Sequence, residues 1–137
     1  HISKCVLSCD RCRMNNSLTL GRASAALAAL TALVHEAVGS FDTLYPALDS
    51  VQPLALFGVI EGAWHMLGLL MLWCAWVFWS GREGVRALGL IWMLSGVIFF
   101  ASGFFRGGFD GLVHVPQWML LLPTGLLAIL SRKSQRV

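Results

Sequence analysis

Charge is what this sequence has least of. Only 12% of its residues are Asp, Glu, Lys or Arg, against about 25% in an ordinary soluble domain. A surface turned wholly to water is therefore excluded. Acidic residues number seven, tyrosine one and proline four. The formal net charge of +3 is too small to suggest nucleic acid as a partner. Catalytic signatures are missing as well: there is no serine–histidine–acid arrangement, phosphate loop, dinucleotide fingerprint, H-x-x-x-H or H-E-x-x-H. These gaps point away from an enzyme.

What is present is apolar. Hydrophobic residues make up 57% of 137, the length of one domain. The longest run, residues 54–79, holds only two ionisable side chains, Glu61 and His65. About 20 apolar residues at ~1.5 Å rise cross a hydrocarbon core of ~30 Å, so this run is expected to span a membrane. Three more stretches qualify, at 18–38, 85–105 and 112–130. The predicted fold is an all-α integral membrane protein, an antiparallel four-helix bundle over 18–130. A polar segment at 1–17 precedes it and a basic tail at 131–137 follows. The connector is expected at 40–53, with Asp49 or Ser50 capping the second helix and Pro53 in its first turn. Tight turns are expected at 80–84 and 106–111. So short a link at 80–84 makes the second and third spans expected neighbours.

The N-terminal segment carries Cys5, Cys9 and Cys12. That C-x3-C-x2-C spacing matches the cluster-binding loop of radical-SAM enzymes, but a soluble barrel should follow it, and a membrane span follows instead. The fourth cysteine, Cys74, is alone in the second span. Residues 1–13 contain no initiator, whereas Met14 opens an ordinary start, so they are expected to be vector-derived or upstream sequence. The stretch at 18–38 reads as a span rather than a signal peptide, because it is long and no small-residue cleavage site follows.

Nine of the ten basic residues flank the expected cytoplasmic helix ends, and only Arg106 falls at the opposite ends. Both termini are therefore expected in the cytoplasm. Phe41 and Tyr45, and Trp73, Trp76 and Trp79, suit the two membrane–water interfaces.

Small and polar residues share helix faces. Ala25, Ala28, Ala32, His35 and Gly39 fall on one face of the first span, and Gly58, Glu61, His65, Gly68 and Ala75 on one face of the second. Gly89, Gly96 and Gly103 repeat every seven residues in the third span, which reads as a helix-packing seam. His114, Gln117, Leu121, Thr124 and Ala128 share a face of the fourth, which Pro123 should kink.

Val34-His35, Trp64-His65 and Pro116-Gln117-Trp118 resemble the corresponding positions of a family of small four-helix bacterial inner-membrane proteins. The resemblance runs from about Leu18 to Leu130. It implies the four-span topology and a bacterial inner-membrane location, and it brings no assigned activity.

Ionisable groups inside a bilayer must be neutral, paired or bound to something. His35, Glu36, Glu61, His114 and Gln117 are expected in the outer half, with His65 nearer the midplane and too deep to share one metal with His35. Three roles follow. Glu61 and His65 could fix helix register by bonding each other or the fourth span. His35, Glu61 and His114 could bind a metal ion or haem. Glu61 could line a proton or small-ligand site. The leading expectation is a non-catalytic accessory subunit, with the lipid bilayer and a membrane-protein partner or second copy as its surroundings. A metal- or haem-binding redox protein, or a proton or small-ligand binding unit, is the alternative.

Overall fold

A computed structural model describes the backbone of residues 2–49 and 54–131, and the side chains of 16–49 and 56–131. Among the described residues there is no strand. Helix α1 spans Ile2–Val34 and continues into a π-helical stretch, His35–Leu44, and then α2, Tyr45–Asp49. Helix α3 spans Leu54–Ser80, α4 Val85–His114 and α5 Trp118–Ser131. Three helices are long and apolar enough to cross a membrane: Asn16–Asp49, Leu56–Ser80 and Val85–His114. The side chains of Cys5, Cys9 and Cys12, together with Ser50, Pro53 and residues 132–137, lie outside the description.

The first correction concerns the connector expected at 40–53. Its first ten residues are helical. Pro46 lacks an N–H, and in a regular α-helix its ring would press on the carbonyl four residues back. The chain passes it by widening, with the Tyr45 N–H donating to the Ser40 carbonyl five residues back. The helix therefore continues where composition suggested an end.

The far end of α4 reverses where a turn was expected. Gly108 has φ 59° and ψ −136°, so the helix is broken there. A Cβ placed on Gly111 would lie 2.1 Å from the Gly103 carbonyl oxygen. Residues eight apart in a straight helix would be ~12 Å apart, so the chain doubles back at Gly108, within the turn expected at 106–111. The returning segment is a short helix to His114, a break at 115–117, and then α5. Helix α5 runs through Pro123 without ending there. At 14 residues, α5 alone covers only ~21 Å.

Neighbours in sequence are not always neighbours in space. Helix α1 packs on α3 and on α5, and α5 packs on α4, whereas α3 and α4 scarcely touch. Their contact includes the Phe78–Trp92 ring pair, 6.0 Å between centroids. The short turn thus joins α3 and α4 without pressing them together, contrary to expectation, because α1 and α5 fill the space between.

The core forms at the end of the molecule that holds the 81–84 turn. Ala25, Ala28, Cys74, Val77, Phe78, Val85, Trp92, Leu121 and Ala128 are buried there. Alanine on α1 lets helix backbones approach closely, and polar bonds cross the same seam. Ser24 Oγ donates to the Thr124 carbonyl at 2.9 Å, and Ser17 Oγ donates to the Ser131 carbonyl. On α4, a Cβ at Gly89 would meet Gly125 O and Ala128 Cβ at 3.0 Å, and one at Gly96 would meet Leu122 at 2.8 Å. A Cβ at Gly103 would meet Gly111 O at 3.0 Å.

Arg22 lies over Trp79 and Arg82 over Trp76, 5.4 Å and 4.2 Å from the ring centroids. Arg22, Arg82 and Arg86 thus gather at the core end. Arg106 is ~30 Å away along α4 by helix rise, one hydrocarbon thickness. The other basic residues lie outside the described side chains.

Candidate functional site

Because the first helix runs on to Asp49, His35 and Glu36 are carried well away from its end. They reach α3 near its middle, beside Trp64, His65 and Gly68. His65 Nδ1 lies 2.7 Å from Glu36 Oε2. A carboxylate oxygen accepts there, so the imidazole N–H donates in a short, charge-assisted geometry. His35 Nε2 donates to the Trp64 carbonyl at 3.1 Å, which fixes its tautomer if the ring is neutral. The His35 and Trp64 rings stack, with centroids 4.1 Å apart and 17° between planes. His35 Nε2 is also 4.0 Å from Glu36 Oε1.

Two glycines make room for this contact. A Cβ on Gly68 would sit 1.8 Å from Glu36 Oε1, so the carboxylate occupies the space a side chain would need. A Cβ on Gly39 would sit 2.8 Å from Trp64 Cζ2. The pair is not sealed: the side chains of Glu36 and His65 retain 35% and 44% exposure. Glu36 Oε1, Ser40 Oγ and Trp64 Nε1 are nevertheless buried without a hydrogen-bond partner. Ser40 is 3% exposed.

The residues expected to form one outer cluster are distributed differently. His35 belongs to this site. His65, expected too deep to join it, does join it, because the helix bearing His35 is longer than expected and sets that residue alongside Trp64 and His65. Glu61 is half-buried, ~6 Å from His65 along α3 by helix rise, and makes no hydrogen bond or ion pair with a described residue; His65 bonds Glu36 instead. His114 is exposed, its Nδ1 donating to the Asp110 carbonyl at 2.8 Å. Gln117 is exposed in the break before α5, and its backbone carbonyl accepts from Leu120 and Leu121. His35, Glu61 and His114 are thus not gathered. Among the described residues no group of three or more His, Cys, Asp or Glu could hold a metal ion.

Sequence reasoning counted Glu36 among the buried polar residues beside His35 but gave it no ligand role, yet both histidines meet it. Trp64 was noted only as part of the Trp64-His65 pair, and Ser40 was given no role. Gly68 was placed on the correct face of α3, and its spacing of three from His65 was the available signal.

Chemically, the site is an ion-pair-capable carboxylate and imidazole with one carboxylate oxygen, one hydroxyl and one indole N–H left over. Such leftovers are costly in a low-dielectric interior unless something bonds to them. No protein-family model, curated protein or solved structure matches the chain.

Proposed function

We propose that the chain is a multi-pass protein of the bacterial inner membrane, an antiparallel four-helix bundle with both termini cytoplasmic. Residues 109–131 supply the fourth crossing. The three long apolar helices, the clustering of Arg22, Arg82 and Arg86 at one end, and the resemblance noted above support this reading. Within the bundle, the Glu36–His65 centre is a small-ligand binding site rather than a catalytic one.

One observation carries the binding role. A polar pair that served only to fix helix register would have its hydrogen-bonding capacity used up within the protein. Here Glu36 Oε1, Ser40 Oγ and Trp64 Nε1 are buried and unused. They lie on adjoining turns of two packed helices.

The test uses delipidated protein in detergent. Polar lipid extract from bacterial membranes should raise the unfolding temperature of the wild type saturably, and Glu36→Leu should not respond. An equal response in both proteins would refute a binding role for this centre.

A second reading is a subunit docked in a larger membrane complex, favoured by α3. Val59, Met66 and Leu69 are 66–70% exposed on it, leaving an apolar face that lipid or a partner helix can cover. Cross-linking from Met66 in cells, with a photoreactive residue in its place, would trap a defined protein if a partner sits there. Only lipid adducts would refute this second role.

A further inference from the structure

The three unused atoms around Glu36 do not ask for the same kind of partner. A carboxylate oxygen accepts and needs a donor. An indole N–H donates only and needs an acceptor. The Ser40 hydroxyl can do either. A bare cation would satisfy Glu36 Oε1 but face the Trp64 N–H. An anion would satisfy the N–H but face the carboxylate. A hydroxyl group donates and accepts through a single oxygen, and it meets both requirements.

The three residues adjoin one another across the packed helices. Glu36 and Ser40 are four residues apart on one helix. Glu36 Oε1 is 4.0 Å from His35 Nε2, on the ring that stacks against Trp64. Trp64 turns Cζ2, two bonds from Nε1, toward Gly39, the neighbour of Ser40. The open side of the site is the half-exposed edge of Glu36 and His65. That edge lies near the middle of α3, in a stretch where Met66 and Leu69 on α3 and Leu33 on α1 are exposed. On the membrane reading it faces hydrocarbon, so a guest arrives laterally from lipid.

We infer that the Glu36–Ser40–Trp64 site binds the hydroxyl group of a lipid-soluble alcohol or phenol. The inference rests on the small-ligand reading above and narrows it to one chemistry. The hydroxyl donates to Glu36 Oε1 and accepts from Trp64 Nε1, with the Ser40 hydroxyl beside it. The apolar body of the guest stays in the bilayer.

Matched probes test this on the full-length protein in nanodiscs, with binding read as a saturable rise in unfolding temperature. The probes are 4-nonylphenol, its methyl ether 4-nonylanisole, decylamine and decanoate. The phenol should bind about tenfold or more tightly than its ether, which can accept but not donate, because a hydrogen bond to a charged group is at stake. Trp64→Phe keeps a ring to stack on His35 and removes only the indole N–H. It and Ser40→Ala should each weaken the phenol several-fold while leaving the unliganded unfolding temperature near wild type. Equal binding of phenol and ether would overturn the inference. So would saturable binding of the phenol that Trp64→Phe and Ser40→Ala leave unchanged. Saturable binding of decylamine or decanoate alone, abolished by Glu36→Leu, would overturn the hydroxyl assignment and leave the binding centre standing. No saturable probe, together with a lipid-extract response identical in wild type and Glu36→Leu, would remove both; the site would then hold water alone.

Discussion

Replacing Gly68 with alanine puts the site under direct strain. The new Cβ would lie 1.8 Å from Glu36 Oε1, 2.7 Å from Cδ and 2.9 Å from Cγ. To reach ordinary contact the carboxylate must withdraw by about 1.5 Å or more, and the 2.7 Å bond to His65 cannot survive that. A hydrogen bond to a charged group contributes ~1.5–3 kcal/mol, although polar contacts between membrane helices average nearer ~0.6 kcal/mol. Against this loss, alanine gains up to ~1 kcal/mol over glycine in a helix interior. Glu36 is flexible and can give way, so the net effect runs from near zero to a loss of about 2 kcal/mol rather than unfolding. Gly62 is the internal control, since it lies on the same helix with nothing within 4 Å of its Cβ position. Gly62→Ala should therefore show only the helix-propensity gain. Reversible denaturation of both variants in mixed micelles measures the difference. A nitrogen NMR signal from His65 should shift in Gly68→Ala and stay in place in Gly62→Ala. If Gly68→Ala were as stable as Gly62→Ala with an unmoved His65 signal, the placement of Glu36 over Gly68 would be wrong.

Other outcomes follow from the same packing. Gly125→Ala would bring a Cβ within 2.5 Å of the Gly89 carbonyl and 2.6 Å of the Met93 nitrogen. Backbone cannot swing aside, so this change should cost more than Gly68→Ala, on the order of 1–3 kcal/mol, read by the same denaturation; a neutral result would count against the α4–α5 seam. Ser24→Ala removes the bond to the Thr124 carbonyl and should cost only ~0.6 kcal/mol; a loss several times larger would mean that the seam depends on this hydroxyl more than its packing implies. For orientation, Glu83→Cys and Gly107→Cys, each in a background with the native cysteines replaced by serine, should label from opposite sides. Gly107→Cys should react with an impermeant reagent in intact cells and Glu83→Cys only after permeabilisation, and labelling of both from one side would refute the topology.

Much of the fold could be read from apolar runs, because a span needs little more than length and composition. The buried alanines of α1, the glycines of α4, and Gly68 and Ala75 on α3 all fell on faces marked by small residues. The stripe on α3 failed at its upper end, where Gly58 is open and Glu61 has no described partner. Helix ends were harder. Ser40, Asp42, Pro46 and Asp49 carry the composition of a loop, and no local rule announces that a π-helical turn will carry the chain past Pro46. That turn also explains why Glu36 was missed as the centre of the site. Face assignment assumed α-helical spacing, on which His35 points inward and Glu36 aside. Wider turns beginning at His35 bring successive side chains closer in angle, and both reach α3. At the other end, Gly107 and Gly108 marked the reversal correctly, but the break at 115–117 was masked by the apolar residues around it.

The order of packing has a consequence for how the protein is made. Helices α1 and α3 form one pair, α4 and α5 another, and the Gly81–Gly84 stretch links them without clamping α3 to α4. As the chain leaves the ribosome, the first pair can close on itself before the second exists. The second pair closes only when α5 arrives, and the two then dock along the Ser24–Thr124 seam. On that order, synthesis would end as the second pair docks on the first. A gene cut within codons 81–84, expressed as two separate pieces, should yield fragments that find each other and co-purify. Ser24→Leu, which fills the seam, should keep them apart.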